Sequence, residues 1–342
     1  MATLSTNVLT MMDWGKRLDP KGKISATIEL LSQSNEILQD MLFKEGNLPT
    51  GEQTTIRTGL PAVFWRLLNQ GTTPSKSTTA QVTENVGILE AWSEVDEDVA
   101  TLNGSLSSFR LNEAMAFLEA MNQEMASTLF YGAATSPEEF VGFSNRYTAT
   151  TDSNGQNILL GGGSGADNSS MWLIGWGQNS VHGVFPQGSK AGITHDDLGL
   201  QTIETTAGVG GNRMRAYQDH WKWKNGLVVK DWRYAVRIPN IDLSDMIAIA
   251  NTQAVTAATF LPKLMSRATD RLPSMMGIKP VFYANRTVKS NLKVLAMEKA
   301  VSVLSIIEDG LDQLGRKMSE LKFLGIPVRT VDSLIETEAL VA

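Results

Sequence analysis

Apolar residues recur every three to four positions through "SSFRLNEAMAFLEAMNQEMASTLFY", residues 107–131: Leu111, Met115, Leu118, Met121, Met125 and Leu129. That period puts them on one stripe of an α-helix and predicts a buried face. Ser107 and Ser108 are placed to cap its start and Gly132 to end it. A helix over these positions runs roughly 37 Å, long for a globular protein. The methionines read as adaptable core rather than a cofactor box.

Residues 1–43 carry a weaker helical period, with Ile24, Ile28, Leu31, Ile37 and Leu38. One short helix with a polar lead-in makes no core by itself. It packs on its own domain or serves as an arm onto a neighbour. Residues 44–106 are rich in Thr and Val, with Val82, Val86, Ile88 and Trp92 on one parity, interrupted by Glu84, Glu90 and Glu94. That imperfect alternation predicts extended strand with a half-polar surface. "NQGTTPSKSTT" reads as a loop tip, so the whole segment is expected to form a long two-stranded excursion. An isolated ribbon is marginal in water unless something covers it, so a partner is expected.

Further on, "TATTDSNGQNILLGGGSGADNSS" reads as loops, and Trp172, Ile174 and Trp176 alternate as a strand. Asn225-Gly226, flanked by Trp221, Trp223, Val228 and Trp232, predicts a hairpin with a two-residue turn. The last hundred residues mix elements. Phe260, Leu264, Ala268 and Leu272 line one helix face, "KPVFYA" is a short buried strand, and Leu292 and Leu295 point inward from a second helix. "KFLGIPVRTVDSL" pairs two strands about Gly325 and Pro327. Together these elements give an α+β chain.

Candidate chemistry changes little. His182, His195 and His220 have no metal-ligand spacing, and "GITHDDLG" around His195 reads as a solvated loop. "GGGSG" and "GVGGN" lack the flanking strand, helix and lysine of a phosphate cradle, and no nucleophile elbow occurs. Acidic "EVDEDV" (Asp96, Glu97, Asp98) reads as a charged strand end or an intersubunit salt-bridge partner; a divalent-cation site would need further oxygen ligands that the sequence does not place. No cofactor, metal or catalytic residue is expected. The chain has 342 residues, 19% charged, net charge −6 and no cysteine. The charge argues against a free nucleic-acid-binding protein, and the missing cysteine excludes disulfides and thiolate chemistry. No signal peptide or membrane span is visible, so synthesis in a cytoplasm is expected.

"GLVVKDWRYAVRIPNIDLSD", "KPVFYANRTVKSNL" and "FLGIPVRTVDSL", with the order of the elements, resemble the major capsid proteins of tailed, often short-tailed, bacteriophages with the HK97-like fold. The resemblance implies an N-terminal arm at 1–43, an extended loop at 44–106, a peripheral domain at 107–245 with its spine helix at 107–131, and an axial domain at 246–342. It implies a non-enzymatic virion protein that assembles into hexamers and pentamers of an icosahedral head. That head encloses double-stranded DNA without sequence-specific binding. A separate scaffolding protein, a portal protein and a possible decoration protein are the implied partners. Loop and spine charges Arg57, Arg66, Lys76, Glu84, Glu90, Glu94, Arg110 and Glu113 are the expected subunit contacts. Two rival readings remain: an encapsulin-like nanocompartment, told apart by co-packaged enzyme, and a secreted carbohydrate-binding or hydrolytic module, told apart by glycan binding.

Overall fold

The computed structural model describes residues 32–101, 106–204, 213–246, 261–297, 304–311 and 317–342. The early apolar period at Ile24, Ile28 and Leu31, Phe260 and the "GVGGN" glycines lie outside them.

The elements run α1 (Ile37–Asp40), β1 (Phe43–Glu45), β2 (Gly51–Gly59), β3 (Thr78–Asn85), β4 (Gly87–Asp96), α2 (Glu97–Thr101) and α3 (Leu106–Tyr131). Next come β5 (Asn168–Trp176), β6 (Val181–Phe185), β7 (Ile193–Glu204), β8 (Arg213–Val229) and β9 (Ala235–Asp242). The chain closes with α4 (Leu261–Arg271), β10 (Lys279–Ala284), α5 (Arg286–Met297), β11 (Leu304–Leu311), β12 (Lys317–Phe323) and β13 (Ile326–Thr330). An 11-stranded sheet runs β11-β12-β13-β10-β5-β6-β8-β4, with β1 on β6, β7 on β8 and β9 on β5. Strands β2 and β3 pair only with each other.

Strand β5 is the hinge of the core. All nine of its residues are buried, because both faces of the sheet are covered there. Trp172, Ile174 and Trp176 face a cluster with Met125, Leu129 and Phe130 of α3 and with Phe143 and Tyr147. Met171 and Leu173, on the other parity, face Leu264, Met265 and Ala268 of α4 and Val288 and Leu292 of α5. The period-two pattern read from the tryptophans is therefore one side of a two-sided strand.

Asn225-Gly226 forms no hairpin. Strand β8 runs straight through it: Asn225 is registered with Gly87 of β4, and Gly226 with Val184 of β6. The expected left-handed turn is overridden because β8 changes partners at this point while remaining extended. The glycine is needed for clearance, since a β-carbon on it would lie 2.6 Å from the Asn85 carbonyl oxygen and 3.2 Å from the Val86 Cα. Gly226→Val is expected to lower stability by about 1–3 kcal/mol through overpacking against backbone, as read by thermal denaturation. An unchanged midpoint would contradict this.

The chain end is built in. Its last corner is a hairpin between β12 and β13, with Leu324 (φ 49) and Gly325 (φ 82) in the left-handed region that a tight turn requires. β13 then joins β10 in parallel. Beyond it, Glu338 N–H donates to Asn168 O, and Asn240 exchanges two hydrogen bonds with the Val341 backbone at 2.8 and 2.9 Å. Buried Glu338 accepts from Tyr131 Oη at 2.5 Å, from Arg237 Nη2 at 2.9 Å and from the Ser170 hydroxyl. The Arg237 guanidinium also donates to Tyr147 O and lies over the Trp172 ring.

Candidate subunit-contact site

The β2–β3 ribbon leaves the body and carries exposed apolar side chains at its tip. In register, Glu52 faces Glu84 across the two strands at the root. Two carboxylates opposite each other repel, and the body supplies the countercharge. Glu52 meets Lys230 Nζ at 2.7 Å and His182 Nε2 at 2.8 Å, with Lys44 Nζ at 3.7 Å. Glu84 takes a bidentate pair from Arg146 at 2.5 and 2.6 Å. The root is thereby clamped on both strands, while the tip extends away.

Burial pushes the Glu52 carboxyl upward, but the hydrogen bonds from Lys230 and His182 outweigh it and hold it below the ordinary carboxylate range. His182 is fully buried, and that desolvation lowers its pKa despite the partly opposing Glu52. Its imidazole is thus neutral near pH 7, with Nε2–H donating to Glu52. Both groups bind protons more weakly folded than unfolded. Their contribution to stability is complete above about pH 6.5 and is lost as pH falls, first through His182 and then through Glu52. The melting midpoint of the unassembled subunit should fall between pH 7 and pH 5, and His182→Gln should flatten that slope. An equal slope in the variant would contradict the assignment.

From residue 60 to 77 the chain leaves strand geometry. Leu60, Val63, Phe64, Trp65, Leu67 and Leu68 are all exposed, Trp65 completely. Arg57, Arg66 and Lys76 are exposed too, and no ion pair involves them among the described residues. No acidic residue occurs between Gln53 and Thr83. The tip is therefore apolar and cationic. An uncovered apolar patch of this kind marks a contact surface.

The other predicted contact residues sit on the body. Glu90 pairs with Lys222 at 2.5 Å, directly across the β4–β8 ladder. Glu94 accepts from Gln218 at 2.8 Å. Arg110 holds Asp197 at 2.6 Å and Asp219 at 2.7 Å. Glu113 is half-buried on α3. The structure thus gathers Arg57, Arg66 and Lys76 on the ribbon and gives Glu84, Glu90, Glu94 and Arg110 partners within the chain.

Three local expectations change. The two-stranded excursion is shorter than 44–106, because β4 joins the main sheet through β8, and only β2, β3 and the tip project. His195 lies in strand β7 rather than in a loop, stacked on Trp221 with its Nε2 2.9 Å from Asp219. The apolar stripe of α3 is buried at Met121, Met125 and Leu129 but exposed at Leu111, Met115 and Leu118. The 26-residue helix outruns the core that covers its second half. Its first half is held instead by Phe109 in a small cluster with Val95 and Ala100, and by Phe117 stacked on Trp221.

Among the described residues no group of three His, Asp or Glu side chains is placed to hold a metal ion. No described helix is long and apolar enough to cross a membrane.

The family model of the major capsid protein GP7 matches residues 19–342. A solved structure from bacteriophage epsilon15 is 31% identical, covers 100% of this chain and 99% of its own, and superposes with a TM-score of 0.78. The capsid of bacteriophage JBD30 is 10% identical over 89% of this chain and 92% of its own (TM-score 0.43), a likeness too slight to add to the argument. No curated protein matches the sequence. A rooted ribbon, a long spine helix and a two-sided mixed sheet, with the capsid-protein family match and the whole-length likeness to the epsilon15 structure, define a tailed-phage capsid subunit of the HK97-like class. The chain belongs to the family of the major capsid protein GP7. It is a structural protein of the virion, and neither the nanocompartment nor the carbohydrate-module reading finds support.

Proposed function

We propose that the chain builds the head by ringing into hexamers and pentamers, in which the β2–β3 ribbon of each copy reaches onto its neighbour. One observation carries this reading: six exposed apolar side chains on a ribbon tip that no described part of the same chain covers. Ring contacts of this kind join unlike patches, so a protruding tip on one side needs a receiving surface on the other. Weak single contacts then gain strength by closure of the shell.

The domain roles follow as proposals: arm 1–43, a loop region 44–106 whose projecting part is β2, the tip and β3, peripheral domain 107–245 and axial domain 246–342. Arg57, Arg66 and Lys76 are the favoured intersubunit charges, because they are exposed and have no ion pair among the described residues. Glu84 serves the contact through the ribbon root, Glu90 and Glu94 through strand β4, and Arg110 and Glu113 through the spine. The shell encloses double-stranded DNA without reading its sequence, forms with a separate scaffolding protein and receives a portal protein, with room for a decoration protein. No catalytic step is assigned to it. Electron microscopy of the chain co-expressed with its scaffolding protein tests this reading. Closed particles built of rings are expected, and a lone subunit under those conditions would contradict it.

A further inference from the structure

The tip's chemistry specifies what must receive it. Its exposed face offers Phe64 and Trp65 together with three cations and no acid. A receiving surface should therefore combine an apolar floor, room for an aromatic ring and unneutralised carboxylates.

One cavity in the described structure has all three features. It lies between the start of β4, the second half of α3 and the loop that follows α3, with a volume of about 180 Å³. Leu89, Met125 and Phe140 form its floor. Glu124, Glu138 and Glu139 form its rim. All three glutamates are exposed, and none makes an ion pair among the described residues. Glu84 at the ribbon root and Glu90, Asp197 and Asp219 on the body are already paired with Arg146, Lys222 and Arg110.

The cavity also lies at the correct end of the molecule. Gly87, part of its wall, follows the last residue of β3 by two positions, so the cavity flanks the root of the same ribbon whose tip is cationic. Strand β2 alone spans nine residues, about 30 Å when extended. A chain's own tip is thereby held away from its own cavity, whereas the tip of another copy is free to enter. Tip-to-root docking is a heterologous contact, the type that generates a ring when its rotation closes.

We infer that this Glu124–Glu138–Glu139 cavity is the receptor for the ribbon tip of a neighbouring copy. An aromatic side chain, Phe64 or Trp65, enters over Met125 and Phe140, and Arg66 and Lys76 meet the glutamate rim. The inference rests on the shell reading above, and its test separates the two.

A photo-crosslinking phenylalanine analogue at position 65 replaces one aromatic group by another. Particles are assembled from equal amounts of isotopically light and heavy subunits, irradiated, and the joined peptides identified by mass spectrometry. Mixed light–heavy products joining position 65 to residues 87–89 or 124–140 are expected. Particles whose crosslinks fall elsewhere, or only within one copy, overturn the receptor assignment and leave the shell reading intact. Wild-type protein that forms no particles under the same conditions overturns the shell reading itself. If the substituted chain alone fails to assemble, charge reversal decides. Glu138→Lys with Glu139→Lys should raise the protein concentration needed for assembly by at least about tenfold, and adding Arg66→Glu and Lys76→Glu should recover most of that loss. No recovery, with all variants folded by circular dichroism, overturns the assignment.

Discussion

Replacing residues 60–77 by a two-residue Asn-Gly turn is expected to give a folded subunit that forms no shells. Gly59 and Thr78 are registered across the ribbon, so a tight turn there closes β2 onto β3 without disturbing their ladder. The removed segment adds little to the body's core, since Leu60, Val63, Phe64, Trp65, Leu67 and Leu68 are exposed. The melting midpoint should therefore stay close to that of the parent chain. Assembly should fail because anchors are lost. Two fully buried side chains at about 1.5–3 kcal/mol each already change a contact's equilibrium constant by more than about a hundredfold. Light scattering and electron microscopy read the outcome, and normal shells from the trimmed chain would refute the tip's role.

The second large effect is expected far from the ribbon. Glu338→Leu leaves Arg237 buried beside Trp172 without its carboxylate. Removing one partner of a buried ion pair costs about 3–5 kcal/mol, because the remaining charge is uncompensated. Tyr131 and Ser170 lose their acceptor as well. The double variant Arg237→Met with Glu338→Leu should recover most of the loss, since a shape-matched apolar pair needs no countercharge. Chemical denaturation of the unassembled subunit measures both. A single variant as stable as the parent would show that the tail beyond β13 is not fastened through this pair.

Much of the fold was legible where one periodicity dominates. The spine helix is expected over 107–131 and found at Leu106–Tyr131. "KPVFYA" and the β12–β13 corner lie where apolar runs and turn residues put them. Leu264 and Ala268 of α4 and Leu292 and Leu295 of α5 are buried as their spacing implies.

The misreadings share a physical origin, because each depends on a partner distant in sequence. Asn225-Gly226 carries a strong local turn signal, but the glycine is there so that Asn85 and Val86 can pass close by. His195 lies in a polar run with glycines on either side, yet pairing with β8 and stacking on Trp221 make it strand. Leu111, Met115 and Leu118 obey the helical period, but the period says nothing of where the covering sheet stops. Glu338 gives no local sign of being buried, since its partners lie 101, 168 and 207 residues away.

The contact site was legible in part. Arg57, Arg66 and Lys76 stand out from the sequence as cations on a predicted loop. The apolar run from Leu60 to Leu68 is plain in the sequence but carries no periodicity that marks it as uncovered. The Glu124, Glu138 and Glu139 rim draws on a helix and a separate loop, so only the fold brings it together.

Amide hydrogen exchange over residues 60–77, compared between unassembled subunits and purified particles, tests the central claim most directly. If neighbours cover the tip, these amides exchange rapidly in the free subunit and are strongly protected in the particle. Equal exchange in both states, or protection already present in the lone subunit, would contradict it.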